Sequence, residues 1–154
     1  MKIRKLVAIL LALTLTLCSF SIAAAEEHPG GTVVFGLSAE PTHLEPCVDN
    51  ATAARAVVWT MYEGLFAYDE NGLVTNLLCD SYTMSEDGTV YTFKLIDAKF
   101  HNGDPVTAED VKYSFERVKN PEMGAFEYQN MQVIEEMTVI DDKTLEVKLA
   151  NPLA

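Results

Sequence analysis

Tyr91–Val118 reads YTFKLIDAKFHNGDPVTAEDVKYSFERV, and these 28 residues decide how the rest of the chain is read. Tyr91, Phe93 and Leu95 alternate with Thr92 and Lys94, which gives a strand with one apolar face. Asn102-Gly103 is a turn dipeptide that calls for a positive φ, and Asp104-Pro105 prolongs the break. Thr107 then suits a helix N-cap, with Asp110 three residues on as an acidic capping-box partner. Val111, Phe115 and Val118 follow at helical spacing, one step after Ala108. The unit is strand, turn, helix.

Outward from this unit, hairpins dominate. Ser81–Ser85 and Thr89–Leu95 flank Glu86-Asp87-Gly88, and Met137–Ile140 and Thr144–Leu149 flank Asp141-Asp142-Lys143. Thr32–Leu37 (TVVFGL) reads as a first strand, β-branched and aromatic. A helix is expected from Thr52 to Phe66, apolar on more than one stripe and therefore buried on two sides. Asp49, Asn50 or Thr52 can cap it. Two irregular stretches remain, Ser38–Asn50 with two prolines and Asn120–Tyr128 with two exposed-looking aromatics. Long loops of this kind are often functional. Mixed helices and hairpin-joined strands indicate an α+β (mixed α/β) fold, not a run of βαβ units.

The N-terminus reads as a signal peptide over residues 1–25. Lys2, Arg4 and Lys5 precede an uncharged run from Leu6 to Leu17, and Ala23-Ala24-Ala25 offers a cleavage site. Leu17 before Cys18 does not suit a lipoprotein signal, so a soluble exported protein is expected, in the periplasm or at the outer face of the cytoplasmic membrane. Residues 26–154 form the domain proper. Removing the leader leaves eight basic against 23 acidic residues, a net charge of about −15. Such a chain repels nucleic acid and anionic lipid. Cys47 and Cys79 are either bridged, as export permits, or two free thiols.

Catalytic signatures are missing: there is no G-x-S-x-G, H-E-x-x-H, P-loop or G-x-G-x-x-G. His28, His43 and His101 show no ligand spacing, and no metal or cofactor is expected. Glu135-Glu136 and Asp141-Asp142 are neighbours in strand-like stretches, so each pair splits between two faces.

Four blocks, in order, resemble the family 5 extracellular solute-binding proteins, the oligopeptide-, dipeptide- and nickel-type receptors of ABC importers. They are Leu44-Glu45-Pro46, Tyr62-Glu63-Gly64-Leu65, Ser85-Glu86-Asp87-Gly88 leading into Tyr91-Thr92-Phe93, and Lys99–Phe115. Ile96 stands where the family has arginine, so any ion pair made there is missing. The resemblance implies part of lobe one of a two-lobed class II periplasmic-binding fold, apparently truncated. It implies a monomeric receptor, not an enzyme, which carries peptides or a similar small solute to ABC permease subunits in the membrane. The alternatives are a ligand-sensing module of the same fold without transport, or an exported hydrolase. The resemblance also implies that the two irregular loops face the cleft, with Asp49, Asn50, Thr52, Phe126 and Tyr128 near the ligand. Capping alone would also account for Asn50 and Thr52, and loop packing for Phe126 and Tyr128. The Tyr91–Val118 signature itself is expected to be structural, with Tyr113 and Phe115 packing and His101 a structural hydrogen-bonder. Affinity of this chain alone for peptides is expected to be negligible, since half the contacts and the closure lie elsewhere.

Overall fold

The computed structural model describes residues 30–152; the expected signal peptide lies outside them. The elements in chain order are α1 (Thr52–Val58), β1 (Phe66–Tyr68), β2 (Val74–Asn76), β3 (Cys79–Met84) and β4 (Val90–Leu95), then α2 (Ala108–Lys119), a 3-10 turn (Pro121–Met123), α3 (Tyr128–Met131), β5 (Ile134–Asp141) and β6 (Thr144–Leu149). β3, β4, β6 and β5 form one antiparallel sheet in that order, and β1 pairs with β2 as a separate ribbon.

Register sorts the sheet into an apolar and a polar face. Tyr82, Phe93, Leu145 and Val139 lie in one row across the four strands, and Met84, Tyr91, Val147 and Met137 in another. Thr83, Thr92, Glu146 and Thr138 form the row between them, so they point to the opposite face. Helix α2 supplies Ala108, Val111 and Phe115 to the core on the apolar face, where Leu145 is completely buried.

The helix begins as expected. The Asp110 carboxylate accepts from the Thr107 N–H at 2.8 Å and from its hydroxyl at 2.7 Å. This satisfies the N-cap amide and sets a negative charge at the positive end of the helix dipole. The expected Asn102-Gly103 turn is present, and Gly103 has φ +94°, where a side chain is strained. The second hairpin ties itself to this unit. Asp142 O accepts the Ala108 N–H, Lys143 O accepts the Leu95 N–H, and Lys143 Nζ donates to the carbonyls of Ile96 and Val106.

Several expectations need correction. Residues 31–37 form no strand: Val33, Val34 and Phe35 are exposed and have no ladder partner among the described residues. Backbone groups make a strand only when a neighbour pairs with them. The helix expected over Thr52–Phe66 stops at Val58. Beyond it the Thr60 hydroxyl bonds back to Val57 O, Trp59 is 65% exposed with the Arg55 guanidinium over its ring, and Phe66 belongs to β1. Only Ala53, Ala54 and Val58 of α1 are buried, so burial is one-sided. Tyr113 is exposed, whereas Phe115 packs on the core as expected. His101 makes no side-chain hydrogen bond among the described residues. The turn around it closes through Phe100 N–H to Asp104 O, Gly103 N–H to Phe100 O, and the Asn102 and Asp104 side chains, without the ring. Cys47 and Cys79 are free thiols, Cys79 fully buried with its Sγ donating to Ser81 O.

Candidate functional site

Asp49 organises the first irregular loop. Its Oδ2 accepts from the Thr42 hydroxyl at 2.6 Å, the Thr42 N–H at 3.1 Å and the His43 N–H at 3.3 Å, and its Oδ1 accepts from Ala51 N–H at 2.9 Å. Ala51 is the N-cap of α1 and has no side-chain cap of its own, so Asp49 serves the start of that helix from two residues upstream. The side chain is buried at 8% exposure, and every bond it makes favours the charged form. The Thr42 hydroxyl, then the Ala51 amide, hold its carboxyl down to about 2.

A carboxyl lowered on folding stabilises the fold above its ordinary value near 4 and loses that contribution as pH falls through about 2. Carbon-detected NMR titration should therefore place the Asp49 midpoint near 2. Asp49→Asn should remove part of the stability loss that the parent chain shows between about pH 4 and pH 2. A midpoint close to 4 would mean that the loop bonds do not persist in solution.

The other expected site residues take different positions. Asn50 is exposed beside Asp49, and Thr52 is the exposed first residue of α1. Phe126 is 46% exposed, and its N–H donates to Cys47 O at 3.1 Å, which joins the second irregular loop to the first. Tyr128 opens α3 half-buried, with its N–H on Ala125 O.

Two residues missed in the sequence reading strengthen that junction. Arg117 on α2 reaches Glu45 in the first loop, Nη2 to Oε2 at 2.9 Å, and also touches Met123 Sδ at 3.8 Å. Burial would raise the Glu45 carboxyl, but the hydrogen bond and charge of Arg117 outweigh it and the net shift is downward. Burial, then the nearby Glu45 carboxylate, push the Cys47 thiol up, so it is a poor nucleophile. Charge pairs so far apart in sequence leave no periodic signal; the one hint was that Glu45 lies inside the first resemblance block.

A second feature lies at the other end of α1. Trp59, Tyr62, Leu65, Phe100, His101 and Phe115 are among the residues lining a groove of about 610 Å³. That size falls in the range of small-molecule sites. The groove brings together two of the resemblance blocks, Tyr62–Leu65 and Lys99–His101. Among the described residues no three His, Cys, Asp or Glu side chains gather as a metal site, and no helix is long and apolar enough to cross a membrane.

Solved structures share this architecture. AgaA from A. tumefaciens R10, in complex with agropinic acid, superposes with a TM-score of 0.71 at 35% identity, over 73% of this chain and 23% of that one. Listeria monocytogenes OppA bound to peptide gives 0.67 at 32% identity, over 72% and 25%. The described residues thus have the mixed helix and sheet fold of a part of the periplasmic binding proteins. The sequence model of bacterial extracellular solute-binding proteins, family 5 (middle region), matches residues 74–154, and the chain belongs to that family. The glutathione-binding protein GsiB of Pectobacterium atrosepticum is 34% identical over 114 residues, 73% of this chain and 22% of GsiB. The chain spans about a quarter of the length of the curated relatives it matches.

Proposed function

We propose that the chain is part of an extracytoplasmic receptor that carries a peptide or similar small solute to an ABC importer, acting by binding and not by catalysis. The observation that carries this reading is membership of family 5 on a fold shared with peptide-bound OppA. The leader-like residues 1–25 support export to the periplasm or the outer face of the membrane. A peptide-type solute is supported by GsiB and OppA, whose names and complexes involve glutathione and peptide. The solute meets the two joined loops, with Asn50, Thr52, Phe126 and Tyr128 toward it and Asp49 shaping the first loop.

Titration of the isotope-labelled chain with glutathione and with trialanine tests this. Binding should be weaker than about 1 mM, because a single module offers few contacts and no closure. Shift changes should centre on Asn50, Thr52, Phe126 and Tyr128, and both probes should stay intact on prolonged incubation. Hydrolysis of either probe, or unshifted loop signals at saturating probe, would refute the reading. Shifts centred on Trp59, Tyr62 and Phe100 would instead favour the groove, a second reading that its size and aromatic lining support.

A further inference from the structure

We infer that the Glu45–Arg117 pair is a positioning clamp that fixes the two irregular loops in a single mutual arrangement and so aligns Asn50 with Phe126. The inference deepens the binding reading above and rests on it for the purpose of the clamp.

Three sets of contacts converge on the pair. Arg117 projects from the core-packed helix α2 and meets both loops, Glu45 Oε2 in the first and Met123 Sδ in the second. Glu45 is anchored by its side chain and also starts the tight turn of its own loop, because its carbonyl accepts the N–H groups of Val48 and Asp49. Asp49 then fixes Thr42, His43 and Ala51, and with Ala51 the start of α1 where Asn50 and Thr52 sit. Within that turn, Cys47 O holds the Phe126 N–H. Beside the buried Ala53 and Ala54 of α1 and the buried Ala125 of the second loop, one guanidinium and one carboxylate thus tie helix α2 to the turn that carries both Asn50 and the Phe126 hydrogen bond.

The pair is partly open to solvent, with 37% of the Arg117 side chain and 26% of the Glu45 side chain exposed, but its buried edge is informative. Glu45 Oε1 is shut off from solvent and has no hydrogen-bond partner among the described residues. Leaving a carboxylate oxygen buried and unmatched opposes stability. The guanidinium contributes direction as well as charge, so lysine is a poor replacement.

Amide hydrogen exchange on the ligand-free chain tests the clamp. In Arg117→Met and in Glu45→Gln, exchange at Val48, Asp49 and Phe126 should quicken about tenfold or more, while Leu95, Val111 and Val147 in the core keep their rates. The charge-swapped pair Glu45→Arg with Arg117→Glu should recover part of the protection at Phe126. The same variants should weaken the glutathione- or trialanine-induced shifts at Asn50 and Phe126. Unchanged exchange at Phe126 in both single variants, or equal acceleration at core and loop amides, overturns the clamp whatever the probes do. Loop shifts absent from the parent chain, with the exchange pattern as expected, overturn only the binding reading and leave the mechanical coupling standing.

Discussion

Leu145→Ala is expected to lower the unfolding free energy by about 3 kcal/mol, within the ~2–5 kcal/mol that buried leucines cost. Leu145 is wholly inaccessible, in the second strand from the sheet edge, between Phe93 and Val139 in its row. Three carbons leave the core, and at about 0.8 kcal/mol each the transfer loss alone is about 2.4 kcal/mol. The rest is cavity cost, set by how far the surroundings collapse. Collapse is restricted here, because Ala108 and Val111 belong to a helix whose start is tied to Asp142 O and whose end is tied through Lys119 to Ile134 O. Domains of this size have only about 5–15 kcal/mol in hand. Urea denaturation should show a lower midpoint with an unchanged slope. A midpoint within error of the parent would mean that the core is not organised around this side chain.

Much of this core was legible in the sequence, because it is built from short-range pattern. Alternation in Tyr91–Leu95 and Thr144–Leu149 indicated which side chains face α2, and Glu86-Asp87-Gly88 and Asp141-Asp142-Lys143 indicated the turns, although Asp141 itself ends β5. Thr107 and Asp110 are three residues apart, so their pairing could be read directly. Failures arose where local pattern was ambiguous or where contact was distant. Trp59, Met61 and Tyr62 look like a buried helix continuation, yet all three are exposed and the helix has already ended. Apolar side chains do not reveal whether anything covers them. Thr32–Leu37 has strand composition without a strand partner, and composition specifies no partner. At the candidate site, the two irregular stretches were legible as such. The Arg117–Glu45 contact and the Phe126–Cys47 bond that join them were not, since both link residues about 70 to 80 positions apart in the chain.

Phe93→Ala should be nearly as costly as the loss of Leu145, about 2–3 kcal/mol, with a different spatial signature. Phe93 is only half-buried, which argues for less than the ~3–5 kcal/mol of a fully enclosed phenylalanine. Its ring, however, meets three others, Tyr82 at 6.0 Å, Tyr91 at 6.2 Å and Phe66 at 6.3 Å between centroids. Such pairs add about 0.5–1.5 kcal/mol each beyond area. Phe66 lies on β1, so the cluster joins the β1–β2 ribbon to the main sheet. That ribbon has three residue pairs and would not hold alone. Backbone bonds from Leu77, Leu78 and Cys79 to Gly64 and Leu65 bring the chain back beside it, but they lie at its base. Without the Phe93 ring, the aromatic contact left between ribbon and sheet is Phe66–Tyr82 at 5.7 Å. Exchange at Ala67 and Val74 should therefore accelerate more than at Val147, whereas Leu145→Ala should accelerate all three together. Tyr68→Ala, on the same ribbon but 68% exposed, should cost less than about 0.5 kcal/mol. If Phe93→Ala were no more damaging than Tyr68→Ala, the aromatic cluster would have no part in holding the ribbon, and the backbone bonds at its base would have to suffice.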